Sequence, residues 1–313
     1  MNHFLKDVLK GLQSSPKYLD SKYFYDKKGD ELFQKIMACD EYYLTKAEME
    51  IFRKQPMQIA EKVLNETKHL DVIEFGPGDA VKSVHLLKEL SKRKALANYF
   101  PIDISENIIE LLSEQLPKKI PGVCIKGFAG EYLKMLAVVQ KFSINRKLVL
   151  FLGANIGNFK FNQMPAFCKK LRSLLSEGDL VLIGFDLKKD PKKIVAAYDD
   201  EQGFTRAFNL NLLHRINKEL HANFDVKSFE HFATYDPETG ACKSYLVSVK
   251  KQSVTIQNEV ICFEKDEPVF MEISQKYSTE QIDRIAGECG FQVMAHFFDQ
   301  RNYFVDVILR CGQ

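Results

Sequence analysis

Glu74-Phe75-Gly76-Pro77-Gly78 puts two glycines directly after an apolar run at 70–75. Glycine allows a tight turn and lets a ligand come close where a Cβ would obstruct it. Asp103 closes a second apolar run at 99–103, where a carboxylate can accept hydrogen bonds from both hydroxyls of a ribose. A ribose-bearing cofactor fits this pair of features, although a tight turn with no ligand gives the same glycine spacing.

Charge at the glycine turn separates the cofactors that carry a ribose. A dinucleotide sets its pyrophosphate on a helix N-terminus and favours G-x-G-x-x-G. Here Val81 stands at the third glycine position and Asp79 where the pyrophosphate would lie, and a fixed carboxylate repels a diphosphate. S-adenosylmethionine (SAM) has no phosphate, only a carboxylate, an ammonium and a sulfonium. Lys82, expected one helical turn in, can neutralise that carboxylate, so these residues favour SAM over NAD. In Gly130-Glu131-Tyr132 the acid could accept from an adenine amino group while the ring covers its face. A surface acidic residue fits that spacing equally well.

These residues need elements to hold them. Short apolar runs alternate with helical patterns, as in βαβ units. Strands are expected at 70–75, 99–103, 123–125, 147–152 and 180–185. Helices are expected at 80–90, after Ser105, and at 163–175. From 189 to 220 the pattern is helical with an interruption at 199–203. Between 232 and 270 the period becomes two, as in antiparallel strands. A helix at 279–289, stopped by Gly290, and strands at 291–298 and 303–309 restore the α/β rhythm. The expected fold is therefore α/β, a doubly wound Rossmann-like domain (47–188 plus 277–313). An inserted α+β substrate-binding domain is expected from 189–276 together with 1–46.

Composition excludes several function classes. The net charge is +2 and acidic and basic residues are interspersed. The lysine clusters 92–94, 188–189 and 192–193 lack interleaved aromatics, so they read as solvated surface and no nucleic-acid partner is expected. The seven cysteines are scattered with no CxxC spacing, which points to reduced thiols, a cytoplasmic location and no metal. No signal-peptide core and no stretch of eighteen apolar residues occurs, so no membrane association is expected. A small-molecule substrate fits this balance, and a monomer is compatible with it.

Ordered motifs then carry a resemblance along nearly the full chain. Tyr23-Phe24-Tyr25-Asp26, Gly29, Leu32-Phe33 and Glu41-Tyr42-Tyr43-Leu44-Thr45-Lys46-Ala47-Glu48 resemble YDxxGSxLF…EYYPTRxE. Residues 151–159 (FLGANIGNF) resemble FLGSTIGN. Residues 186–190 (DLKKD), 197–200 (AYDD), 203–205 (GFT) and 208–211 (FNLN) resemble DLVKD…AYDDxxGVTxxFNxN. Residues 272–277 (EISQKY) resemble E-V/I-S-x-K-F/Y. These are motifs of the histidine-specific Nα-methyltransferases of ergothioneine biosynthesis, and the chain is similar to that family.

The resemblance implies a class I SAM-dependent methyltransferase acting on the α-amino group of histidine in up to three transfers. It implies cofactor contacts at Gly76, Lys82, Asp103, Glu131 and Tyr132. Amino-acid contacts are implied at Tyr42, Asn158 and Tyr198, with Asn158 and Tyr198 orienting the reacting group. Glu272 and Ser274 would read the side chain, with Tyr25 beside the substrate ring. From the residues alone Asn158 also reads as a turn residue, Tyr198 as a half-buried aromatic, and Glu272 as an i,i+4 surface partner of Lys276. Asp199, Asp200, Asn209 and Asn211 are expected to serve as caps and loop hydrogen bonds. Leu44 replaces the family's proline, Glu131 its aspartate, and Ser244 a bulkier methionine, the last implying a wider pocket. A transferase for another small amine and a non-catalytic SAM-binding protein are the readings to be separated from this one.

Overall fold

The computed structural model describes residues 3–65 and 67–312. The chain forms two compact units, with seams at Tyr43/Leu44, Lys188/Lys189 and Gln275/Lys276. Twelve strands occur in chain order: β1 Leu70–Phe75, β2 Leu96–Asp103, β3 Phe128–Ala129, β4 Arg146–Phe151, β5 Leu180–Asp186, β6 Phe229–Asp236, β7 Ala241–Ser248, β8 Gln252–Ile256, β9 Glu259–Phe263, β10 Pro268–Gln275, β11 Phe291–Phe298 and β12 Phe304–Cys311.

The larger unit, Leu44–Lys188 with the segment from Lys276 on, holds one seven-stranded sheet of order β11-β12-β5-β4-β1-β2-β3. β1 to β5 pair in parallel, while β12 runs antiparallel to β5 and β11 to β12. β1 and β5 are buried at every residue, which is why their apolar residues fall on both faces rather than alternating with exposed polar ones. The strand order reverses between β1 and β4. In an open α/β sheet the crevice at that reversal, beyond the carboxyl ends of the strands, is where ligands bind. Gly76 and Gly153 follow those two ends.

Two expectations are corrected here. The third strand is Phe128–Ala129 rather than 123–125, where Ile125 makes only an isolated bridge to Tyr99. The helix after the glycine turn is Ser83–Lys92, because Ala80 takes a left-handed φ of 53° that no helix interior accommodates. Lys82 is therefore the N-cap residue and not one turn in. Elsewhere the caps follow local chemistry: the Ser105 side chain accepts the Ile108 N–H, and Ser278 with Gln281 forms a capping box.

At the seams the outgoing and returning stretches of the larger unit run side by side. Leu187 and Tyr277 form a parallel bridge, the Tyr277 N–H donates to the Asp186 carbonyl at 3.0 Å, and the Lys188 N–H to the Tyr277 carbonyl at 2.9 Å. Lys276 Nζ lies 2.7 Å from Asp186 Oδ2, both side chains 0% exposed. Lys276 thus pairs with the end of β5, not with Glu272 at i,i+4. In a strand such as β10, i,i+4 residues are too far apart for a surface pair.

The smaller unit, up to Tyr43 with Lys189–Gln275, has an antiparallel sheet β10-β7-β6 and a hairpin β8-β9. Its core gathers Phe4, Leu12, Phe24, Phe208, Leu212, Leu246, Val269 and Met271 among others. The helix Phe204–Leu220 begins where the Asp200 carboxylate accepts the N–H groups of Phe204 (2.8 Å) and Thr205 (2.7 Å). Asn211 donates to Asp26 Oδ1 at 2.8 Å, which in turn caps the helix Lys27–Ala38. Among the described residues no helix is long and apolar enough to cross a membrane.

Candidate functional site

The backbone after β1 turns through positive φ at Gly76 (59°) and Gly78 (55°). A Cβ on Gly76 would stand 2.7 Å from the Tyr132 hydroxyl and 3.6 Å from Asn155 Nδ2, whereas Gly78 opens on space with nothing within 4 Å. After β4, Gly153 and Ala154 also have positive φ. A Cβ on Gly153 would lie 3.5 Å from both Asn155 Nδ2 and Lys82 Nζ. Bare backbone, one amide and one ammonium thus converge at the strand-order reversal. Asn155 was not singled out from the sequence. Asn158 closes the same short turn, Asn155–Asn158, with an exposed side chain.

Asp103 ends β2, and its Oδ1 accepts the Ser105 N–H at 2.9 Å. Its carbonyl accepts the Gly130 N–H at 2.8 Å, which brings the loop after β3 alongside. Tyr132 stacks on Phe75 with ring centres 5.0 Å apart and 7° between planes. Burial, with the Asp103 charge adding, pushes its phenol up to about 12, so it stays neutral. Glu131 differs: it is exposed and pairs with Lys134 at 2.7 Å. Asp79 Oδ1 accepts the Val81 N–H at 3.2 Å, so one N–H that a phosphate would use is already engaged.

Lys82 is half-buried and ion-paired with Glu48, the last residue of the 41–48 motif, to which the sequence assigned no role. Burial works against its ammonium, but the Glu48 charge and hydrogen bond, with Asp306 and Glu74, hold its pKa above the ordinary lysine value. The signal in the sequence was a carboxylate on the apolar stripe of the helix Tyr43–Lys54, one turn after Leu44 and just before Ile51 and Phe52.

Glu74 accepts the Tyr99 hydroxyl at 2.7 Å. Burial pushes its pKa from the ordinary 4.5 up to about 7, against the Tyr99 and Ser83 hydrogen bonds and the Lys82 charge, and with Glu48 adding to the rise. Between those two pH values the folded protein holds a proton that the unfolded chain has released. Stability therefore falls as pH rises from 4.5 to 7, by roughly 3 kcal/mol in all. Glu74→Gln keeps an acceptor for Tyr99 and removes the charge. Its Tm is expected to match that of the parent at pH 4.5 and exceed it at pH 8; equal Tm differences at both pH values would refute this.

In the smaller unit, aromatic rings form an edge-to-face chain. Tyr25 meets Phe33 (5.6 Å), Phe33 meets Tyr42 (6.4 Å) and Tyr42 meets Tyr198 (6.2 Å). Tyr25 is 48% exposed, at the outer end, and Tyr198 is buried at the inner end. The Tyr198 hydroxyl donates to Ser274 Oγ at 2.7 Å. His231 Nε2 lies 2.8 Å from the Tyr198 carbonyl, which can only accept, so that nitrogen carries the proton. Burial lowers the pKa of this imidazole despite that bond, keeping it neutral.

Glu272 and Ser274 owe their direction to an irregularity. Before it Val269 pairs with Leu246, and after it Glu272 pairs with Ser244 and Ser274 with Cys242. The extra residue between Phe270 and Glu272 shifts the alternation by one. Glu272 and Ser274 thereby take the face that Val269 and Leu246 use for the core. Ser244, 1% exposed, lies directly across from Glu272 on that face.

The structure thus groups Tyr42, Tyr198, Glu272 and Ser274 in one unit, and Gly76, Lys82, Asp103 and Tyr132 in the other. The family described as "Histidine-specific methyltransferase, SAM-dependent" matches residues 4–311. Histidine N-alpha-methyltransferase of Mycobacterium tuberculosis is 32% identical over 301 residues, covering 96% of this chain and 92% of that protein. Ergothioneine biosynthesis protein 1 of Schizosaccharomyces pombe is 28% identical, over 89% of this chain and 37% of that protein. L-tryptophan methyltransferase trpM of Psilocybe serbica is 27% identical, over 99% and 93%.

Proposed function

Because the chain belongs to the SAM-dependent, histidine-specific methyltransferase family, we propose that it methylates the α-amino nitrogen of free L-histidine, up to N,N,N-trimethylhistidine. The observation that carries the substrate reading is the β10 irregularity that aims Glu272 and Ser274 inward beside Tyr198. An imidazole offers one N–H and one bare nitrogen. Glu272 accepts the first. Ser274, which accepts the Tyr198 hydroxyl, brings a second hydroxyl group to the same place for the other.

The groups at the ends of β1, β2, β3 and β4 suit SAM: a Cβ-free turn, an ammonium for a carboxylate, a carboxylate for a ribose diol and a flat ring, with no phosphate cradle. When bound, SAM supplies an activated methyl group on a sulfonium. In this reading Lys82 takes the cofactor carboxylate, Asp103 the ribose hydroxyls, and Tyr132 and Glu131 the adenine. Asn158, Tyr198 and Tyr42 take the amino-acid head group. An amine attacks only when neutral; a peptide α-amino group titrates near 8 and that of a free amino acid higher, a modest shift for the site to supply, so positioning rather than a strong base supplies most of the rate. Tyr42 offers a ring face to the growing positive charge.

One observation favours a second substrate: Ser244, small and buried opposite Glu272, leaves more room than a methionine would, and a relative in the comparison is named for tryptophan. Incubation of the protein with SAM and each free amino acid, read by mass spectrometry, is expected to add one to three methyl masses to histidine only. Methylation of another amine with none of histidine moves the specificity and keeps the transferase. Cofactor binding without turnover across a broad amine panel removes the transferase.

A further inference from the structure

Glu48 brings a buried carboxylate to both Lys82 and the turn after β4. Glu48, 0% exposed, accepts the Gly153 N–H at 2.7 Å through Oε1 and at 3.0 Å through Oε2, and it ion-pairs with Lys82. Gly184 on β5 lacks a side chain where one is impossible, since a Cβ there would collide with Glu48 Oε1 and press on the Phe304 ring. Asp306 on β12 pairs in register with Gly184 and so lies on the same face. It is 0% exposed, and among the described residues neither of its carboxyl oxygens has a hydrogen-bond partner. Burial first, then the Glu48 charge, holds the Asp306 carboxyl well above the usual carboxylate range against the pull of Lys82. Glu48 is the carboxylate that meets the Lys82 ammonium at ion-pair distance.

We infer that Glu48 is a positioning residue of the cofactor site, fixing the Lys82 ammonium against the turn after β4 by holding both with one carboxylate. The inference rests on the reading of Lys82 as the contact for the cofactor carboxylate. A lysine on a four-carbon stem loses much rotamer freedom when a ligand immobilises it. Glu48 imposes that order during folding, before any ligand arrives.

Calorimetric titration of the full chain tests this with two non-reacting probes: S-adenosylhomocysteine, which has the amino-acid tail, and 5′-methylthioadenosine, which lacks it. Glu48→Gln keeps an acceptor for Gly153 and turns an amide N–H toward Lys82. It is expected to weaken S-adenosylhomocysteine roughly tenfold and leave 5′-methylthioadenosine unchanged. The double variant Glu48→Gln/Lys82→Met is expected to bind no more weakly than Lys82→Met alone. Should Glu48→Gln fail to fold, Glu48→Asp, with the charge one methylene short, is expected to show a smaller loss on the same probe only. Equal weakening of both probes, additive losses, or tighter binding by Glu48→Gln would overturn the inference. Unchanged S-adenosylhomocysteine affinity in Lys82→Met would overturn the reading of Lys82 and the inference with it, whereas normal losses there with no Glu48 effect remove the inference alone.

Discussion

Replacing Glu272 by alanine is expected to lower kcat/KM for histidine by about two to three orders of magnitude while leaving S-adenosylhomocysteine affinity within about twofold. A site that accepts a hydrogen bond from a substrate N–H gains discrimination because the mismatch leaves a buried polar group unpaired. Removing the acceptor strands the imidazole N–H, which costs about 1–3 kcal/mol for a neutral group and more when the lost partner is charged. The neighbours of Glu272 across the strands are Ser244 and, two residues along, Ser274, none of them given a cofactor role. The loss should therefore fall on the amino acid alone. Selectivity against phenylalanine should collapse in the same variant, since an apolar ring no longer faces an unsatisfied carboxylate. Steady-state kinetics with both amino acids, beside calorimetry, reads all three quantities. A uniform drop for histidine and phenylalanine would mean that Glu272 supports the fold of β10 rather than the substrate.

The second large effect is on stability. Lys276→Met leaves the Asp186 carboxylate fully buried without its ammonium, and breaking a buried pair from one side typically removes 3–5 kcal/mol, on the order of a third or more of a domain's stability. Replacing both, as Asp186→Leu/Lys276→Met, removes the uncompensated charge and is expected to recover most of that loss. Urea unfolding of the two single variants and the double gives the answer. If the double is as unstable as either single, hydrogen bonds from this pair to its surroundings, and not the mutual charge, hold the segment.

Several elements could be read from residues alone because one physical signal dominated them. β1, β4 and β5 carry apolar residues on both faces, with Asp71, Glu74, Arg146, Lys147 and Asp186 as the polar exceptions, since both faces of a central parallel strand are covered. β3 could not be read: two residues at a sheet edge leave no pattern, and the nearby 123–125 run was the more apolar choice. The helix start was misplaced because the sequence does not announce that Ala80, a strong helix former, is held at φ 53° by the turn before it. At the site, glycines and Asp103 were legible through chemistry. Tyr198, Glu272 and Ser274 came only through the family motifs; the direction of the last two depends on a register shift that alternation of residue types does not display. Glu48 and Asn155 stand within the family motifs but carried no assigned role, because Glu48 meets Lys82 and the Gly153 N–H only across long stretches of sequence and Asn155 comes near Gly76 only through the fold.

The paired stretches around Leu187 and Tyr277 have an evolutionary consequence. The chain departs from the sheet and rejoins it at neighbouring points already laced by backbone hydrogen bonds, so 189–275 behaves as a cassette whose two ends fit one socket. A recombinant that brings in a relative's version of that cassette, with the matching first 43 residues, leaves every strand of the seven-stranded sheet untouched. Such an exchange alters the smaller unit alone and keeps the backbone of the larger one in place.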